Sequence, residues 1–217
     1  MADALNYLSG VLEELRKQWP ENKTVNIVCH GHSVPAGYFA TPYVNSLESY
    51  PHLLFKLIKQ RFPFAVANVI VTAIGGENAE QGAKRFHGDA LNHAPAVITI
   101  DYGLNDRRIG LKKSNSAWEF MIGAALEKDV RVILVTPSWD NSYFEKNEEW
   151  QLLAEHAAQI RGLAEKYQTG LADVFSRFEE AVKRPDDLVS LLSHVNHPSA
   201  AGHQIIAEEI AKYFVAG

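Results

Sequence analysis

Val25-Asn26-Ile27-Val28-Cys29-His30-Gly31-His32-Ser33 decides the fold of this chain. Residues 25–29 form a short apolar run of strand length, and His30-Gly31-His32-Ser33 closes it with a turn signal. Four similar runs follow, at 67–72, 96–101, 130–136 and 170–174. β-Branched runs bounded by turn residues suit strands covered on both faces. Helical patterns fill the gaps. Leu54, Leu57, Ile58 and Phe62 repeat at helical spacing after Pro51, and residues 77–92, 113–128 and 148–167 are long enough for helices. A final helix follows Ser199, a good N-cap, with Ile206, Ile210 and Phe214 on one face. Upstream of the first strand, a helix over about 2–18 turns Leu5, Leu8, Leu12 and Leu15 inward. Strand–helix alternation predicts an α/β fold, a parallel sheet of five strands with helices on both sides.

Composition narrows the classes. The chain has 217 residues, which suits one domain over 1–217, with no break marking a linker. Apolar residues make up 47% and charged residues 22%, a globular balance. The net charge of -5 disfavours nucleic acid as the main partner. Cys29 is the one cysteine, so no intrachain disulfide forms, and its place in an apolar run predicts a buried small hydrophobe. No segment approaches the roughly 18 apolar residues of a membrane span, and the N-terminus lacks a signal-peptide pattern. The expectation is a cytoplasmic protein with no membrane partner.

In parallel sheets the site lies beyond the carboxyl ends of the strands. Those ends read His30-Gly31-His32-Ser33, Ala73-Ile74-Gly75-Gly76-Glu77-Asn78 and Asp101-Tyr102-Gly103-Leu104-Asn105-Asp106, joined by His194-Val195-Asn196-His197-Pro198-Ser199. These are the parts of acyl transfer. Ser33 needs a base, which His197 can supply. The Ser33 N–H, the Gly76 N–H and the Asn105 amide suit an oxyanion hole.

At these residues the chain resembles the SGNH hydrolases, the GDSL-type lipases and esterases. Their four blocks would be Gly31-His32-Ser33, Gly76, Gly103-Leu104-Asn105-Asp106 and His197-Pro198, in family order. The resemblance implies a three-layer α/β/α sandwich of flavodoxin-like type, no metal or other cofactor, and ester hydrolysis through an acyl-enzyme. It also makes Asp106 structural support. The family's range and the aromatic loops suggest a small-molecule or carbohydrate ester with a short acyl group, such as acetyl. The oligomeric state is not set by the sequence.

The chain departs from the family pattern twice. His32 stands where the family has an aspartate that braces the nucleophile turn, and it can brace through one ring nitrogen. His194 stands where Asp-x-x-His would complete a triad. An imidazole there brings no fixed negative charge to His197. Three readings follow: a Ser-His dyad with a backbone carbonyl near 192–194 orienting His197, a relocated carboxylate (Asp140, Asp187 or Asp106), or weakened catalysis in a carbohydrate-binding or scaffold protein. The dyad is the reading adopted, with His194 and His32 as candidate third or tuning members.

Other residues carry plainer readings. Arg107 and Arg108 suit surface ion pairing. Among the loop aromatics Tyr38, Phe39, Tyr43, Trp139 and Tyr143, Tyr38 and Trp139 are the candidates for a cleft wall. His30 and His32, two apart on a strand, offer a metallohydrolase alternative. The absence of Gly-x-Ser-x-Gly and Gly-x-Gly-x-x-Gly argues against an α/β-hydrolase elbow and a dinucleotide site.

Overall fold

The structure is a computed structural model describing residues 2–3 and 6–215. In chain order the elements are α1 (Ser9–Arg16), β1 (Val25–Gly31), α2 (Ser33–Ala36), α3 (Tyr50–Arg61), β2 (Ala67–Val71), α4 (Ala79–Arg85), β3 (Val97–Asp101) and α5 (Gly103–Asp106). Then come α6 (Gly110–Leu126), β4 (Arg131–Val135), α7 (Ser142–Glu145), α8 (Glu148–Tyr167), β5 (Gly170–Ala172), α9 (Val174–Ala181), α10 (Pro185–Leu191) and α11 (Ala200–Val215).

The five strands form one parallel sheet in the order β2-β1-β3-β4-β5, the flavodoxin-like order. Alternate strand residues feed two cores. Val25, Ile27, Cys29, Val97, Ile133 and Val135 face the layer of α1, α3, α9 and α11, while Val28, Ile98, Ile100, Val132 and Leu134 face α4, α6 and α8. This period of two, apolar on both faces, is why the strands read as continuous apolar runs. The chain leaves β1 toward β2 on one side and reaches β3 on the other. Strand order reverses there, so a crevice opens at the carboxyl ends of β1 and β3.

Helix ends differ from the sequence reading for local reasons. The N-terminal helix, expected over 2–18, spans only Ser9–Arg16: Leu8 gives no side-chain cap, and Lys17 is already extended. Leu8, Leu12 and Leu15 are buried as expected, and Leu5 lies outside the described residues. The helix expected over 77–92 begins at Ala79, because Asn78 and Gln81 cap each other reciprocally and leave Glu77 in the loop. After Arg85 it loosens into a π turn at Phe86–Ala90. The short helices α2, α5 and α7 and the pair α9 and α10 carry too few turns for periodicity to reveal.

Candidate active site

The turn that carries Ser33 follows from the pairing of β1 with β3. Gly31 pairs with Asp101, and a Cβ there would lie 2.5 Å from the Asp101 carbonyl oxygen and 2.7 Å from Pro35, so only glycine fits. His32 then caps α2, its Nδ1 accepting the Val34 N–H at 3.2 Å. Pro35 has no N–H to satisfy. Among the first-turn donors this leaves the Ser33 N–H without a partner among the described residues, as an oxyanion donor requires.

His197 reaches the turn from the far end of the chain. Its Nε2 lies 2.9 Å from Ser33 Oγ, and its Nδ1 lies 2.8 Å from the Phe39 carbonyl oxygen. A carbonyl can only accept, so Nδ1 carries the proton and Nε2 presents its lone pair to the serine hydroxyl. Burial lowers the His197 pKa below the ordinary imidazole value, a shift partly offset by the Phe39 bond, so the ring is neutral at neutral pH. Ser33 and His197 are each 6% exposed.

The remaining blocks are tied to this pair through β2 and β3. The Thr72 N–H and Ile74 N–H donate to the Cys29 and Gly31 carbonyls, laying the loop after β2 along the end of β1. Gly76 follows with φ +82°, a left-handed conformation that favours glycine, and open space lies where a side chain would project. Glu77 anchors the loop from behind, its carboxylate paired with Arg85 at 2.5 Å. Its carbonyl accepts one Asn105 amide hydrogen at 2.8 Å, which orients that side chain and leaves its second hydrogen for a ligand. Tyr38 packs its ring over Gly75 and lies 6.0 Å from the His197 ring, beside the Ser33–His197 contact.

Several expected partners lie elsewhere. The carbonyl that orients His197 comes from Phe39; the 192–194 segment instead clasps the carbonyl of His197 through the Ser193 N–H at 2.9 Å. His194 is exposed and makes no hydrogen bond to the ring. None of the three candidate carboxylates reaches His197. Asp140 pairs with Arg107 at 2.6 Å, Asp187 caps α10, and Asp106 accepts from the Ala79 N–H, Ser114 and Trp118. Asp106 thus ties the starts of α4 and α6 to the third block. Trp139 is a correction to the expected cleft wall. It is 4% exposed and packs among Tyr143, Trp150 and Phe175, so it backs the loop after β4. Arg107 is spent on Asp140, Glu149 and the Leu104 carbonyl.

His30 does not share a site with His32. Its ring nitrogens contact Thr72 Oγ1 at 2.8 Å and the Gly82 carbonyl at 3.2 Å, and burial pushes its pKa down to about 4. The described residues contain no cluster of three or more His, Cys, Asp or Glu suited to a metal.

Two contributors escaped the sequence reading. The Phe39 carbonyl is backbone and has no residue signature. His203, one turn into α11, packs its ring against Phe39 in a tilted arrangement with centroids 4.9 Å apart, and its Nδ1 accepts the Tyr50 N–H at 3.2 Å. Its place in the first turn of the final helix, six residues after His197, was the available signal.

Comparisons with known proteins agree with this architecture. Among solved structures, an acetylxylan esterase from Geobacillus stearothermophilus superposes with a TM-score of 0.76 at 19% identity, over 88% of this chain and 94% of that one. Catalytic substitutions of that enzyme have been made at a serine, an aspartate and a histidine. An alpha/beta hydrolase enzyme from the metagenome of Lake Arreo, Spain, gives 0.76 at 18% identity, over 88% of this chain and 95% of that one. At these identities the likeness is one of fold. No curated protein matches the chain. The GDSL-like Lipase/Acylhydrolase family matches residues 29–205, most of the chain and all four blocks. The chain therefore belongs to the GDSL-like lipase/acylhydrolase family and is an ester hydrolase.

Proposed function

We propose that the chain is a serine esterase working through a Ser33–His197 dyad, with the Phe39 carbonyl in the place of a triad carboxylate. The observation that carries this reading is the pair of contacts on His197, 2.9 Å to Ser33 Oγ and 2.8 Å to the Phe39 oxygen. Ser33 Oγ attacks the ester carbonyl carbon while its proton passes to His197 Nε2. The oxyanion takes hydrogen bonds from the Ser33 and Gly76 N–H groups and the Asn105 amide. Collapse breaks the C–O bond to the alcohol, which leaves with the proton from His197. Water then repeats the sequence on the acyl-enzyme and releases the acid.

The carbonyl fixes the tautomer but supplies a dipole where a carboxylate would supply a charge. Converting a triad aspartate to asparagine costs about 10⁴ in turnover, largely through the wrong tautomer. That loss is avoided here. What remains is the difference between a neutral and a charge-assisted hydrogen bond, about 1–1.5 kcal/mol, or roughly tenfold in rate.

The substrate reading is an ester of a short acyl group, acetyl foremost, on a carbohydrate. Tyr38 offers a ring face beside the dyad on which a sugar could stack, and the fold is that of an acetylxylan esterase. The test combines fluorophosphonate labelling with a p-nitrophenyl ester series from acetate to octanoate. Labelling at Ser33 and fastest turnover of acetate are expected. A preference for octanoate would overturn the substrate reading. Absence of both labelling and turnover would favour a carbohydrate-binding protein.

A further inference from the structure

The family's brace at the nucleophile turn is an aspartate, and this chain has His32 there. A histidine caps a helix only through an unprotonated nitrogen, so something must hold the proton on the other one. His32 Nε2 lies 3.3 Å from Asp101 Oδ1, within ion-pair distance although off the line of a hydrogen bond. Both groups are buried, at 1% and 3% exposure. Asp101 ends β3 directly beside Gly31, and its backbone carbonyl also accepts the His32 N–H.

Among the described residues His32 is the only ion-pair partner of Asp101. The other groups near this carboxylate stay neutral: burial pushes the Cys29 thiol up to about 12 and the Tyr50 phenol well above its ordinary range. A carboxylate taken out of water needs partners; the neutral Tyr50 phenol is near it, and His32 is the one ionisable base within ion-pair distance among the described residues. On its other side, His32 Nδ1 accepts the Val34 N–H at 3.2 Å and lies 3.5 Å from Ser33 Oγ.

We propose that Asp101 is a positioning residue for the nucleophile, acting through His32, and that the two together replace the aspartate of the family's first block. The proposal rests on Ser33 being the nucleophile. Asp101 keeps the proton on Nε2, so Nδ1 keeps its lone pair toward the turn. That lone pair holds the Val34 N–H and so leaves the Ser33 N–H unbonded. The chain has moved the negative charge one residue layer back, onto β3, and bridged the gap with an imidazole.

The experiment is a four-protein cycle of the parent, His32→Asp, Asp101→Asn and the double variant. Each is read for kcat and KM on p-nitrophenyl acetate, for the rate of fluorophosphonate labelling of Ser33, and for Tm. His32→Asp sets two buried carboxylates against each other and is expected to lower kcat and labelling about a hundredfold, with KM little changed. Asp101→Asn alone is expected to lower both about tenfold. The double variant restores one carboxylate facing an amide and is expected to return to within about tenfold of the parent. Two defects that simply multiply in the double variant would overturn the proposal. So would parent-like labelling in either single variant, or a loss confined to Tm. If His32→Asp does not fold, recovery of soluble protein on adding Asp101→Asn reads the same coupling, and no recovery counts against it. A cycle without coupling but with normal Ser33 labelling removes the pairing alone and leaves the dyad standing. Full activity in Ser33→Ala would remove the dyad itself.

Discussion

The turn after β1 and the loop ahead of α11 meet at the 2.9 Å contact between Ser33 and His197, but they are held in different ways. The turn is fixed by its own strand neighbours. Gly31 abuts Asp101, His32 caps α2, and the loop after β2 is stitched to the Cys29 and Gly31 carbonyls. The loop carries His197 between the Ser193 clasp and Pro198, and the ring is oriented by one carbonyl from residue 39. Ser33 is thus positioned redundantly by the sheet, whereas His197 depends on a distant loop that itself leans on His203. Substitutions on the two sides should therefore fail differently.

The sharpest break removes either partner of the contact. Ser33→Ala and His197→Ala are each expected to lower kcat/KM on p-nitrophenyl acetate by about 10⁴ or more, and combining them should add little, because the pair acts as a unit. Comparison of the two singles with the double checks this. The next effect falls on the loop side. His203→Ala leaves the Tyr50 N–H without its acceptor and Phe39 without its neighbouring ring, at a cost of about 2–4 kcal/mol in stability. Its kcat is expected to fall roughly tenfold while Ser33 stays in place, and urea titration with steady-state kinetics separates the two.

How far the sequence reveals this molecule follows the same division. The sheet is legible because β1, β3, β4 and β5 are largely covered on both faces and so are written as apolar runs, with the candidate site residues just past their ends; β2, at the edge, is only partly covered. Ser33, Gly76 and Asn105 sit on such ends. The orientation of His197 was not legible, because a backbone carbonyl belongs to no residue type and the fold alone brings residue 39 to residue 197. Trp139 was misplaced for a related reason: an aromatic after a strand looks the same in sequence whether it faces solvent or, as here, three other rings. Asp101 was visible as a strand-end carboxylate, but its partner is defined by the register of β1 on β3, which no spacing encodes.

Acid should separate stability from chemistry. Burial holds His30 down at about 4 and His203 at about 3, well below the unfolded value of about 6.5. Both are neutral in the folded protein, so the unfolded chain binds more protons once the pH drops below about 6.5. Stability is therefore full above that pH and declines as pH falls toward 4, by about 3 kcal/mol per histidine at the low end. Tm measured from pH 7 to 4 is expected to fall steadily. The activity limb has a different origin. His197 must be neutral to act as base, and its lowered pKa places the acid midpoint of kcat/KM below about 6.5. A midpoint above 7 would mean that a carboxylate already faces the ring in the free enzyme.

The smallest expected effect comes from repairing the loop. His194→Asp restores the spacing of Asp-x-x-His, yet His194 is exposed and the ring nitrogen it would serve is already bonded to Phe39. The new carboxylate would act through solvent-screened attraction, worth under about 1 kcal/mol. Its sign is nonetheless fixed: the present imidazole disfavours a proton on His197, and a carboxylate would favour one. The acid limb should therefore move up by less than about one pH unit, with kcat rising less than about tenfold. A rise of a hundredfold or more would show that the loop rearranges to give Nδ1 a charged partner, and that the Phe39 carbonyl yields its place when a carboxylate competes for it.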